Sequence, residues 1–234
     1  MYVFLIGVIA TLLVGCHTNR LAQYPIIGST ALFQARVSPK AFGTEVWIAP
    51  LPEDTAQPRE AKWMLEIART AGEFLTEAAA YQKLQQAIVP EELALAAGRG
   101  FQKAAEDYLR LRPVRSREDE PAFLVETILE EFTLTSSSFG VSAQVRVRSR
   151  IIHRETARIV WEDSEHTSIP LQRTTAAAFV PGVATVASIL NARRLLSLEA
   201  EEIRRILAQA AQRAGEELGE GLRKDVEKLP RKGA

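Results

Sequence analysis

Between residues 122 and 171 the apolar side chains fall at alternate positions, a spacing that only extended backbone can turn into one buried face. The chain is thereby limited to folds built around a sheet. In the first strand of this stretch Phe123, Val125, Thr127 and Leu129 share a face, whereas Phe132 and Leu134 have the opposite parity. One extra residue near Glu130-Glu131, a β-bulge, returns both sets to the core side. The second strand, 141–152, alternates Val145, Val147 and Ile151 with Arg146, Arg148 and Arg150, and a short turn at 154–157 leads back into Arg158-Ile159-Val160-Trp161. Strands this closely spaced predict an antiparallel meander.

On either side of the sheet region the period is helical. Met64, Ile67, Ala68, Ala71, Phe74, Leu75, Ala78 and Tyr81 recur at three- and four-residue steps, which predicts a long helix over 59–86. Pro90-Glu91-Glu92 suits a helix first turn; this second helix is expected to reach about Leu111, with an interruption near Gly98 and Gly100, before Pro113 ends it. A third amphipathic helix is read from 198 to 229 on Ile203, Leu207, Ala210, Ala214, Leu218, Leu222, Val226 and Leu229. Ser197 is its expected N-cap, and Glu201–Arg205 and Glu220–Lys224 are candidate pairs four apart. Thr44-Glu45-Val46-Trp47-Ile48-Ala49-Pro50 reads as a strand stopped by Pro50 and Pro52. Residues 16–43, broken by Pro25, Gly28, Pro39 and Gly43, read as a tether with at most a short strand at 31–37. The expected class is α+β: an antiparallel β-meander packed with long helices, in a single domain over 44–234 that carries a helical insert at 59–111.

Residues 2–15 carry no charge and end at Cys16, after which His17, Thr18, Asn19 and Arg20 are polar. The run matches the apolar part of a secretory signal and is short for a membrane-spanning helix, which needs about twenty apolar residues. Cys16 is the one cysteine, so neither an intramolecular disulfide nor a thiolate metal cluster is available. Leu13-Val14-Gly15-Cys16 resembles the bacterial lipobox, with an aliphatic residue three before the cysteine and a small residue just before it. The resemblance implies a signal peptide over 1–15, cleavage before Cys16, and acyl chains (palmitate among them) on that residue. More than one chain anchors a protein stably where a single chain would not. Since His17 is not the Asp often used for inner-membrane retention, the resemblance favours the outer membrane, with the domain facing the periplasm.

With 29 basic and 29 acidic residues the chain has no net charge to draw it to nucleic acid, and 47% hydrophobic content is that of a folded globular protein. Ser136-Ser137-Ser138 with His153 or His166 and Asp163 supplies the residue types of a hydrolase. The serines, however, sit in an expected hairpin turn with Phe139-Gly140, and no Gly-x-Ser-x-Gly elbow is present. Three histidines without a second cysteine give no metal-site spacing, and Gly98-Arg99-Gly100 lacks the rest of a phosphate-binding loop, so neither metal nor cofactor is expected. Arg146, Arg148 and Arg150 share one strand face and are candidates for contact with an anion or a partner; cross-strand pairing with Glu126 and Glu130 is the plainer use. The uncharged stretch 174–192, with Pro181-Gly182 inside it, suits either contact with lipid or a membrane partner, or buried packing.

A strand, long helices, the hairpin from Val145 through Arg154-Glu155-Thr156-Ala157 to Val160-Trp161-Glu162, and a closing helix are together similar to the auxiliary lipoproteins of ABC-type transport systems and to curli-secretion-like lipoproteins. That resemblance implies a non-catalytic domain, held at the membrane through a lipid on Cys16, that serves an envelope transport or assembly system as an accessory or docking component beside an envelope protein partner. Two alternatives stand against it: a lipid-anchored hydrolase using the Ser/His/Asp set, and a structural lipoprotein that oligomerises through its terminal helix.

Overall fold

The computed structural model describes residues 17–42, 46–48, 88–137, 140–173, 191 and 197–229. The leader, Cys16, the helix expected at 59–86 and nearly all of 174–192 lie outside the described residues.

Among the described residues seven strands and two α-helices follow in the order β1 (Thr18–Asn19), β2 (Thr30–Val37), β3 (Val46–Ile48), α1 (Pro90–Leu109), β4 (Arg112–Val114), β5 (Phe123–Ser137), β6 (Gly140–His153), β7 (Arg158–Arg173) and α2 (Ala200–Glu227). They form one sheet in the order β1-β7-β6-β5-β2-β4, with β3 also paired to β5. The alternating segment is the antiparallel run β5-β6-β7, and the pairing slips between Leu129 and Glu131. That slip is the bulge the parity change requires, and it turns Phe132 and Leu134 to the buried side with Leu129.

The sheet as a whole is mixed, which corrects the expectation of an antiparallel meander alone. Ala31–Val37 runs parallel to Phe123–Leu129, β4 runs parallel to β2, and β3 runs parallel to β5. Parallel neighbours need a long crossover, and α1 lies on the path from β2 to β4. Much of the segment expected to be a tether is therefore built into the sheet. Its strand signal is weak because Ala31 and Ala35 stand on either side of Phe33 on the inward face.

Both helices pack on one face of the sheet, α1 over β2 and β5, α2 over β6 and β7, and they touch each other along their length. The core between them holds Phe101, Leu109, Phe123, Val125, Leu129, Val145, Val147, Ile151, Trp161, Leu207 and Leu218, all buried. Helix α1 starts as expected, with Pro90 in the first turn and two acids after it, and ends where Arg110 turns left-handed at φ 54°. It runs unbroken through Gly98 and Gly100, contrary to the expected interruption. The physical reason is helix contact: a Cβ on Gly100 would strike the carbonyl oxygen of Gln212, and one on Gly215 would strike that of Ala97. These two glycines let the backbones of α1 and α2 approach closely.

Helix α2 presents the expected stripe, with Ile203, Leu207, Ala210, Ala214, Leu218 and Leu222 buried. Its N-cap is Glu199, not Ser197, and the surface pairs form between Glu201 and Arg204 and between Glu220 and Arg223, three apart where four was expected. Because this stripe is covered by the chain's own sheet and α1, it is not left open for self-association. No described helix is long and apolar enough to cross a membrane.

Candidate functional site: the amino-terminal anchor point

Asp225 lies three residues after Leu222 and seven after Leu218, so the helical period carries its carboxylate onto the buried stripe of α2. Only 5% of that side chain is exposed. A buried carboxylate must be partnered, and three groups converge on this one. The indole Nε1 of Trp161 donates to Oδ2 at 3.0 Å, and Lys228 Nζ, one turn on, donates to Oδ1 at 3.0 Å. His17 Nε2 lies 3.2 Å from Oδ2, while its Nδ1 lies 3.8 Å from Oδ2 of Asp163. Burial opposes the charge on Asp225, but the donors from Trp161 and Lys228, with the nearby His17, outweigh it and hold its carboxyl below the ordinary value.

His17 is followed at once by β1. Thr18 and Asn19 pair antiparallel with Glu162 and Trp161 on the edge of β7, and the Arg20 backbone N–H donates to the Val160 carbonyl at 2.7 Å. The Asn19 side chain accepts from the Leu21 N–H at 3.2 Å, and Leu21 and Ile26 enter the core at 1% exposure each. The chain is thus fixed to the domain from the residue after Cys16 onward. Sequence reasoning missed this site. Its signal was an acid on an apolar helical stripe opposite a tryptophan that closes a hairpin.

The arginine row is engaged with acids across the strands. Arg150 places Nε and Nη2 each 2.7 Å from Oε2 of Glu126, whose other oxygen meets Arg36 Nη2 at 3.0 Å. Arg148 reaches Glu130 at 2.6 Å and Glu162 at 3.4 Å. Arg146 is the loosest, 3.7 Å from an exposed Glu131. Arg36, Arg146, Arg148 and Arg150 therefore face Glu126, Glu130, Glu131 and Glu162, and the charges of this face cancel. Such a ladder sets strand register more than it attracts anions.

Among the described residues the Ser/His/Asp set is not brought together; Ser138 lies outside them. Ser136 pairs with Val141 and His153 with Phe123, at opposite ends of β5, so strand rise separates them by about 40 Å. Ser136 is buried on the helix-covered side, whereas His166 is exposed beside Arg146, and Asp163 lies opposite Ser149 near the middle of β6. His153 instead packs against Tyr24 and Phe123 and bonds Thr156 at 3.0 Å. Among the described residues no group of histidines, cysteines and acids is arranged to hold a metal. A shallow groove between α1 and β2, lined by Phe33, Ala35, Leu95, Gly98, Gln102 and Val125 with Gln34, Arg99 and Thr127, offers no carboxylate, histidine, serine or cysteine.

No family model matches the chain, and no curated protein matches it. Its fold is similar to several solved bacterial structures. Protein XCC0632 of Xanthomonas campestris, assigned to DUF330, is 12% identical with a TM-score of 0.40, over 91% of this chain and 95% of that one. A PelC dodecamer from Paraburkholderia phytofirmans is 10% identical with a TM-score of 0.31, over 79% and 95%. Lipoprotein GNA1162 of Neisseria meningitidis is 13% identical with a TM-score of 0.24, over 70% and 98%. At TM-scores this low, the reading of this chain rests on its own residues.

Proposed function

We propose that this chain is a bacterial envelope lipoprotein, anchored by acyl chains on Cys16, that works without catalysis as an accessory or docking component of an envelope transport or assembly system. One observation carries the reading: His17, the residue directly after the lipobox-like Leu13-Val14-Gly15-Cys16, is packed against the buried Asp225 of the domain. An uncharged stretch that ends at a cysteine, with a residue held by the domain directly after it, suits export, cleavage and acylation. The separation of Ser136, His153, His166 and Asp163 in the fold supports docking over turnover. The domain faces the periplasm, with the outer membrane favoured by His17 after the cysteine. Any oligomer would use a surface other than the apolar stripe of α2.

Intact-mass measurement of the protein purified from bacterial membranes tests the reading. The expected product begins at Cys16 and carries the mass of diacylglycerol and an amide-linked acyl chain, and Cys16→Ala abolishes both cleavage and acylation. A native product that begins at Met1, or carries no acyl mass, overturns it.

A further inference from the structure

We infer that the corner of the domain around His17, made by β1, the start of β7 and the carboxyl end of α2, lies directly against the lipid bilayer, so that the domain rides on the membrane in a fixed orientation and not at the end of a flexible tether. This rests on the acylation of Cys16 proposed above. Consecutive Cα atoms are about 3.8 Å apart, so Cys16 stays within one peptide unit of a residue clamped to Asp225. Acyl chains on that cysteine enter the hydrocarbon core, and the headgroup layer above it is only about 5–8 Å deep. His17 must then stand at headgroup level, and the groups packed around it share that depth. Lys228, with 72% of its side chain exposed, and the exposed Arg20 suit a layer of lipid phosphates, although Asp163 and Asp225 face the same histidine. Seven residues along β7 from Trp161, Ser168 is carried away from this corner by about 23 Å.

Fluorescence quenching tests the orientation. Cys16 is the one native cysteine and is blocked by acylation, so Arg20→Cys and Ser168→Cys, both at exposed positions, each introduce a single reactive thiol. Each full-length lipidated variant is labelled with a fluorophore and placed in phosphatidylethanolamine–phosphatidylglycerol vesicles containing a headgroup nitroxide lipid. The expected result is quenching several-fold stronger for the label at position 20 than for the label at position 168. Equal quenching at both positions, in protein that floats with the vesicles and carries its acyl mass, overturns the inference and leaves the lipoprotein reading standing. Protein that neither floats nor carries acyl mass overturns both.

Discussion

Trp161 donates its indole N–H to the carboxylate of Asp225 across 3.0 Å, joining the hairpin-closing strand β7 to the last turns of α2 inside the core. The ring also stacks on Phe101 of α1, at 5.3 Å between centroids and 16° between planes, so one side chain ties the sheet to both helices.

Replacing Trp161 by Phe keeps an aromatic ring in the core and leaves Asp225 Oδ2 without its buried donor. The expected loss is about 1–3 kcal/mol, the cost of removing a buried hydrogen bond to a carboxylate plus the smaller ring. Urea unfolding of the soluble domain without its leader reads it. An unchanged midpoint would show that the indole bond contributes nothing.

The meander and its bulge were legible because Phe123, Val125 and Leu129 alternate without a break and Phe132 and Leu134 then change parity, a conflict with one local solution. The stripe of α2 was legible for the same reason, that one buried face per element prints a period. The parallel strand β2 was not, because its inward residues include two alanines and its partner lies some ninety positions away, beyond the reach of any local period. Gly98 and Gly100 misled because a glycine that weakens a helix and a glycine that admits a second helix are written alike. Asp225 was legible in principle: an acid at a stripe position needs an explanation. Only the fold supplied Trp161, Lys228 and His17 as its partners.

Because its folded value is depressed, Asp225 contributes stability that is fully present above its ordinary carboxyl value of 3.8 and is lost as pH falls through the lower folded value. The stability gap between the native chain and Asp225→Asn should therefore not shrink as pH falls from about 7 to 5 and should close only in stronger acid. Chemical denaturation of both proteins across that range checks it; a gap already closing near neutrality contradicts the assignment.

Glu165 shows the reverse sign. Burial raises its carboxyl above the ordinary value, with Glu217 and Asp163 adding to the rise against the His166 backbone N–H. Its protonated form is the one the fold favours, a contribution present below 4.5 and lost as pH rises through the folded value. Glu165→Gln is thus expected to raise the melting temperature at neutral pH and to make little difference in acid. Calorimetry at the two pH values decides, and a lower neutral melting temperature would refute it.

In the arginine ladder, position separates two acids with similar partners. Glu126 is 4% exposed between Arg36 and Arg150, whereas Glu131 is 55% exposed opposite Arg146. Glu126→Ala should cost about 1–3 kcal/mol by leaving two guanidinium groups without their acceptor, and Glu131→Ala no more than about 0.5 kcal/mol. Equal losses on denaturation would mean that burial does not set the strength of the ladder.

Gly98 and Gly100, two residues apart on α1, should respond to alanine with opposite signs. In an exposed helix Gly→Ala is favourable by about 0.8–1 kcal/mol. At Gly98 a new Cβ would meet only the Ala35 Cβ at 3.4 Å, so most of that gain should survive. At Gly100 it would meet the Gln212 carbonyl and, at 3.0 Å, the Glu216 nitrogen, both backbone atoms that cannot rotate away. The helices would have to separate, loosening the contact where Gly215 lies against Ala97, and overpacking of this kind costs about 1–3 kcal/mol. Thermal melts of Gly98→Ala and Gly100→Ala, measured side by side, should fall above and below the native value respectively; two shifts of the same sign would show that close contact between the helices is not what these glycines serve.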